Sequence, residues 1–526
     1  MAPGSGRKAH IVGSGIASLA AATYLIKDGG LLANNITVYE AATCLGGAMA
    51  ISGNPQQGYV LPTGRVFEGQ YRCAFELFSL VPSASDPHRS IKDEILEFNE
   101  RHGYDDRVRI IDRAGQVVKS PHFGLSARNR LDLLRLALTP EHLLDGKAVS
   151  DFFSEDFFTT EFWVLWTSLM NALPQHSAIE FRRFMYRFLH IFPDLSTMKT
   201  ILRTRYNQFD AIIVPISNWL KKQGVVFITG ASVTDVEFRS TPSEISANWL
   251  EYHCNGSARK VEVGADDLVL VTNGSQVADL AVGSMSEPPA PNLRDDYWSL
   301  WRKLALGRPV FGNPEAFFGE ARVPDTQWFT FTVTTRDTTF FDQVTKLTGS
   351  EPGRGGLLTL KDSSWLITFA LFHQPEFIGQ PSEVLTWWGF ALYPARQGDF
   401  VDKAMTACNG REILEETLHH LGLDQHADRI LASSNCIPSL LPYAGSIWMV
   451  RNHTDRPKAV PDGSTNFAFI GQFAEIPDEA AFTMEYAVRS ARIAVATLLH
   501  LDRGPPPIYQ PHHDIAVLER VIKALT

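Results

Sequence analysis

The sharpest alternation of apolar and polar positions lies at the start of the chain. Ala9-His10-Ile11-Val12 reads as a buried strand, Gly13-Ser14-Gly15-Ile16-Ala17-Ser18 interrupts it, Leu19 to Lys27 carries a helical pattern, and Ile36-Thr37-Val38-Tyr39 reads as a second strand that closes on Glu40. From about Phe67 to Ile201 the pattern is largely helical and dense in aromatics, among them Phe152, Phe157, Phe162, Trp163, Trp166, Phe181, Phe184, Phe188 and Phe192. A stripe at helical spacing reads first as core, and this density also suits a long apolar ligand channel. Phe209 to Leu220 reads as an amphipathic helix stopped by Gly224. Short β-like runs follow at 225–228, 233–238, 249–254, 260–263 and 268–272, which predict a small antiparallel insertion and then a return to the first sheet. Residues 290–430 mix strands, such as 365–369, with helices, such as 413–421. Phe467-Ala468-Phe469-Ile470 is a last buried strand running into Gly471-Gln472, with a helix predicted over 478–499. Gly504-Pro505-Pro506-Pro507 reads as a linker before a terminal amphipathic helix at 517–525.

The opening unit carries chemistry. Gly13 permits a tight turn, Gly15 lets the backbone approach a pyrophosphate at a helix N-terminus, and Ser18 is small enough for close helix–strand packing. Glu40, at the end of the second strand, is placed to hydrogen-bond a ribose hydroxyl. Leu45-Gly46-Gly47-Ala48 follows closely. In two-dinucleotide-binding flavoproteins such a glycine pair lets the chain pass the FAD pyrophosphate and ribityl, so FAD is expected rather than NAD.

The predicted fold class is therefore α/β: a Rossmann-like two-dinucleotide-binding FAD domain with a small antiparallel β insertion, plus substrate-covering α+β and helical regions. The pattern divides the chain into 1–66 (FAD domain, first part), 67–205 (helical channel region), 206–285 (FAD domain return with the β insertion), 286–435 (covering α+β), 436–503 (FAD domain closing segment) and 504–526 (linker and helix).

Composition narrows the partners. The chain has 526 residues, 44% hydrophobic and 20% charged, with a formal net charge of -10, which gives no reason to expect a nucleic acid. Five scattered cysteines imply neither a disulfide framework nor a zinc site, and no metal constellation is apparent. There is no signal-like core before the first strand and no run long enough to span a bilayer, so a cytoplasmic protein with at most peripheral membrane contact is expected.

With these landmarks, the chain resembles the fatty acid hydratases, also called oleate hydratases or the myosin-cross-reactive-antigen family. The resemblance is carried by Gly58-Tyr59-Val60 with Gly64-Arg65, Arg205-Tyr206-Asn207-Gln208, Val271-Thr272-Asn273-Gly274-Ser275, Phe311-Gly312-Asn313-Pro314, Trp388-Gly389-Phe390-Ala391-Leu392-Tyr393-Pro394, Asp455-Arg456-Pro457 and the run from Gly463 to Phe473. It implies bound FAD without net redox turnover and addition of water across an isolated cis double bond of a free long-chain unsaturated fatty acid, as in oleic acid to 10-hydroxystearic acid. Tyr206 matches the family's proton donor, and a phenol holds its proton at neutral pH. Arg65, Asn273, Gly471 and Gln472 fall in segments expected to meet the flavin. Gln208, Tyr443, Asn452 and His453 fall in segments that could line the pocket or meet the substrate carboxylate. His190 and His373 read as core histidines.

One position departs. The family commonly reads Gly-Gly-Arg-Glu-Met-Glu where this chain has Thr63-Gly64-Arg65-Val66-Phe67-Glu68, so Val66 replaces the glutamate assigned to activating water. Either Glu68 adopts the base role, or flavin and backbone hold the water, or the reaction has become an isomerisation or a redox step, or only lipid binding remains. The helical N-terminal extension associated with dimer contacts in the family is missing before Ala9, so a monomer or weak homodimer is expected.

Overall fold

The computed structural model describes residues 6–241, 243–294 and 297–525. A five-stranded parallel sheet holds the two ends of the chain together, in the order Phe467–Ile470, Leu268–Thr272, Ala9–Val12, Ile36–Glu40, Val226–Thr229. Both faces are covered, which is why Leu268–Thr272 and Phe467–Ile470 are apolar without alternation. The helices Ile16–Lys27 and Met484–Leu498 pack on one another against this sheet. Arg492 of the second helix reaches across to pair with Asp28 and lies over the Tyr24 ring.

Several predicted elements shift. The run at 225–228 is not part of the antiparallel insertion: Val226–Thr229 is the edge strand of the parallel sheet, paired with Ile36–Glu40. The insertion itself has three strands, Ala231–Ser240, Ile245–Cys254 and Ser257–Glu262. The helix expected from 478 begins only at Met484, where Thr483 caps it by accepting the Tyr486 N–H. The helix expected from Phe209 opens with a π-turn, Phe209–Ile213, before Val214–Gln223.

A seven-stranded mixed sheet forms the second half, in the order Ala281–Val282, Ser434–Leu441, Trp328–Thr335, Leu385–Ala391, Ile367–Leu371, Leu358–Leu360, Ile110–Ile111. Its strands come from beyond 286–435 at both edges. The 67–205 region supplies five helices, Arg72–Ser79, Ile91–His102, Ala127–Leu138, Glu161–Met170 and Ala178–Arg187, together with short strands that the helical pattern hid. Two of the helices start on capping boxes, Ser90 with Asp93 and Ser126 with Asn129. Among the described residues no helix is long and apolar enough to cross a membrane.

Candidate functional site

The turn after the first strand is shaped by close approach. Gly13 has φ +91°, and a Cβ there would stand 3.3 Å from the Thr272 side chain. A Cβ on Gly15 would meet nothing within 4 Å, and helix Ile16–Lys27 starts there with no side chain capping its free N–H groups. Gly47 (φ +53°) closes the other side: its Cβ would lie 3.2 Å from the Gly15 Cα. Glu40 rigidifies this cradle. It is buried, and its carboxylate accepts the Ser14 N–H at 2.9 Å, the Ser14 hydroxyl at 2.5 Å and the Ala42 N–H at 2.8 Å. The Ser14 hydroxyl oxygen in turn accepts the Gly46 N–H at 3.1 Å.

Ser18 packs as the third position of the motif must, its hydroxyl 3.0 Å from that of Thr272. At the ends of the neighbouring strands, Asn273 donates to the Phe473 carbonyl at 3.2 Å while its buried Oδ1 has no partner. A Cβ on Gly471 would stand 3.3 Å from Thr272 Cγ2, and Gln472 beside it is half-buried. Open space at Gly15, unsatisfied helix N–H groups and an orphaned Asn273 oxygen fit a pyrophosphate-bearing dinucleotide laid across the strand ends.

Beyond the cradle, three segments converge. The Thr63 hydroxyl donates to the Ala48 carbonyl at 2.6 Å, Gln208 Nε2 donates to the Arg65 carbonyl at 3.2 Å, and a Cβ on Gly46 would touch Phe209 at 3.1 Å. Between them lies a cavity with a polar wall that includes Arg65, Tyr104, Arg203, Tyr206, Gln208, His373 and Glu376. A second cavity adjoins it, with Phe67, Met170, Phe184, Phe188, Trp388 and Phe390 in its wall. Arg65, Gly64, Tyr104 and Phe372 line both. Arg65 is thus the cation between a polar and an apolar chamber. Burial lowers its guanidinium to about 10, and its Nε has no partner.

The remaining expectations fall out unevenly. Tyr206 is half-buried on the polar cavity, under the Arg205 guanidinium. Gln208 is beside it with a buried, unpartnered Oε1. Val66 and Glu68 line the apolar cavity instead. Glu68 is only 2% exposed, and its carboxylate pairs with Arg187 at 3.0 Å, lies 3.3 Å from His190 Nε2 and accepts the Gln70 N–H at 2.6 Å. Burial pushes Glu68 up, but the His190 hydrogen bond and the Arg187 charge outweigh it and hold the carboxyl below its ordinary range. Such a carboxylate is a poor proton acceptor. His190 is therefore a buried hydrogen-bond neighbour of Glu68, while His373 lines the polar cavity.

Tyr443 is fully buried among Trp298 and Phe318 and lines neither cavity described here. Asn452 and His453 lie in a loop tied down by Asp455 and Asp145, also away from both. Sequence reasoning overlooked Tyr104, Arg203 and Glu376, which are isolated polar residues outside any motif. It also overlooked the convergence of Asp399, Glu416 and His420, where Glu416 accepts three consecutive backbone N–H groups from Asp399 to Val401 and so clamps that loop.

Comparison with known proteins agrees with this architecture. The chain is 34% identical to an oleate hydratase from Streptococcus pyogenes serotype M49 (strain NZ131), over 97% of this chain and 88% of that protein. It is 31% identical to a linoleate hydratase from Lactiplantibacillus plantarum, over 93% and 92%. Among solved structures, cyclohexylamine oxidase from Brevibacterium oxydans IH-35A superposes with a TM-score of 0.58 at 15% identity, covering 94% of this chain and 100% of that one. A putrescine oxidase gives 0.53 at 13% identity, covering 94% and 99%. These likenesses bear on the fold alone. The sequence profile of the MCRA family matches residues 6–496, and the chain belongs to that family.

Proposed function

We propose that the protein is an FAD-dependent hydratase that adds water across an isolated cis double bond of a free long-chain unsaturated fatty acid, as in oleic acid to 10-hydroxystearic acid. The observation that carries this reading is the placement of Tyr206 on a polar cavity that shares Gly64, Arg65, Tyr104 and Phe372 with an apolar one. A hydrocarbon chain suits the apolar chamber. The relatives' names, oleate and linoleate hydratase, point to the same substrate class.

FAD would be held by Gly13, Gly15, Gly46, Gly47 and Glu40, with Arg65, Asn273, Gly471 and Gln472 toward its ring end. When bound it supplies structural and electrostatic support without net redox turnover. Tyr206 holds and delivers the proton to one alkene carbon. Arg65 stands at the junction of the two cavities, and its unpartnered Nε is free to donate to a polar group bound there. The aromatic walls exclude bulk water from the developing cation, which strengthens every fixed charge around it. Its partners are the fatty acid and water; as a monomer or weak homodimer, it would touch membranes only peripherally.

The test is incubation of purified protein with oleic and linoleic acid in water labelled with heavy oxygen, followed by mass spectrometry. A hydroxy fatty acid carrying one labelled oxygen is expected. An unlabelled isomer, or consumption of a nicotinamide cofactor with substrate, refutes hydration.

A further inference from the structure

Val66 leaves the reaction without the family's water-activating carboxylate, and Glu68 is committed to Arg187 and His190. The wall of the Tyr206 cavity nevertheless holds a carboxyl group. Among the described residues that line it, Glu376 is the one acid. Its position is fixed relative to Tyr206 by the adjacent residue: the Asn207 backbone N–H and the Asn207 side-chain amide both donate to the Glu376 carbonyl, at 2.9 and 3.0 Å. The Glu376 N–H donates to Gln380 Oε1 at 3.0 Å, so the turn is held from both sides. Glu376 is buried and lines the cavity, and no ion pair to it is seen among the described residues.

We propose that Glu376 is the general base that accepts the water proton in this chain's alkene hydration, in place of the missing glutamate. The proposal rests on the hydratase reading above. The Tyr206 O–H bond breaks and its proton forms a C–H bond with one alkene carbon as the π bond opens. A water lone pair forms the C–O bond at the other carbon, and the water proton passes to the Glu376 carboxylate. That proton returns through solvent to the Tyr206 phenolate, so one water is added and nothing is oxidised or reduced.

The surroundings suit the role. Burial pushes the Glu376 carboxyl well above its ordinary range, Arg203 on the same wall opposes this, and Asp210 behind Asn207 adds to it. A carboxylate raised above its ordinary range is a stronger proton acceptor than an ordinary one. Tyr104, also on the wall, is itself pushed up by burial and stays neutral. His373 competes poorly, since burial, with Arg203, His102 and Arg205, lowers its imidazole to about 4.

The experiment uses flavin-loaded protein, oleic acid and labelled water. Glu376→Gln should lower kcat about 10²- to 10⁴-fold with the flavin absorbance and fatty acid binding unchanged. Wild-type kcat/KM should fall on the acid side with a limb above the ordinary carboxylate range, and the residual activity of Glu376→Gln should lack that limb. Should Glu376→Gln fail to hold flavin, Glu376→Asp keeps the carboxylate, and a slower enzyme that retains the limb supports the assignment. Near-wild-type turnover in Glu376→Gln, or the same limb in both proteins, overturns the proposal and leaves the hydratase reading intact. A wild type that makes no labelled product overturns both.

Discussion

Glu68 Oε1 lies 3.0 Å from Arg187 Nη1, with the two side chains 2% and 1% exposed. The pair is one link of a buried series. Arg187 also pairs with Glu479 at 2.9 Å, Glu479 with Arg489 at 3.3 Å and Arg489 with Glu485 at 2.8 Å. Glu485 ends the series by accepting the Cys73 and Ala74 N–H groups at the start of helix Arg72–Ser79. The series ties the short strand Phe67–Glu68 to that helix and to helix Met484–Leu498.

Glu68→Gln is accordingly expected to lower stability rather than chemistry. Removing one partner of a buried pair costs about 3–5 kcal/mol, and the remaining Glu479 contact of Arg187 places this case at the lower end. Thermal unfolding should register the loss, while kcat per folded, flavin-bound molecule stays within about threefold of wild type, far short of the 10²-fold or greater cost of losing a general base. A fully stable but inactive variant would return the base role to Glu68.

Tyr206→Phe removes one hydroxyl and little volume. Hydration should drop about 10²- to 10⁴-fold with flavin content and fatty acid affinity retained. Turnover near the wild-type rate would dismiss Tyr206 as the proton donor.

Glu40→Ala should loosen the cradle, because the Ser14 and Ala42 N–H groups lose their acceptor. Leaving the buried Ser14 N–H unsatisfied costs about 1–3 kcal/mol. The measurable outcome is a weaker flavin Kd by titration, with Gly47→Val giving the same result through its approach to Gly15. A Glu40→Ala protein that purifies fully loaded and titrates with wild-type affinity contradicts the cradle.

Glu180 gives a pH prediction. Burial alone would raise it, but Arg456 and Arg451, both at 2.8 Å, and Arg183 lower it to about 2. A carboxyl depressed in the folded state contributes stability that is fully present above its unfolded value, about 4.3, and is lost as pH falls toward the folded one. The difference in Tm between wild type and Glu180→Gln should therefore be constant above about pH 5 and shrink between about pH 4.3 and 2. A difference that grows on acidification contradicts this.

What could be read from the chain followed distance along it. Gly13, Gly15 and Glu40 lie within one strand–turn–helix–strand unit, so their spacing carries their geometry. Tyr206 was legible because its neighbours Asn207 and Gln208 form a recognisable segment. The surroundings of Glu68 were hidden for the opposite reason: its partners Arg187 and His190 stand more than a hundred residues away, and no local pattern couples them. Tyr443, Asn452 and His453 offered suitable donors but not location. Glu376 was silent because a single acid after an apolar strand reads as an ordinary turn. Val226–Thr229 looked like its antiparallel neighbours because strand direction is set by the partner, Ile36–Glu40, not by the run itself.

The pairing of Leu268–Thr272 with both Ala9–Val12 and Phe467–Ile470 has a consequence for biosynthesis. The glycine turn and helix Ile16–Lys27 emerge from the ribosome well before the strand that completes their sheet and the helix that covers them, which come from residues 467–498. At about 5–20 residues per second, the nascent chain carries that uncovered helix for roughly half a minute or more. Contacts so distant in sequence make folding slow and leave apolar surface open meanwhile. The opening residues should thus depend on chaperone protection until translation passes residue 498, and prematurely terminated chains should aggregate rather than persist as a free N-terminal unit.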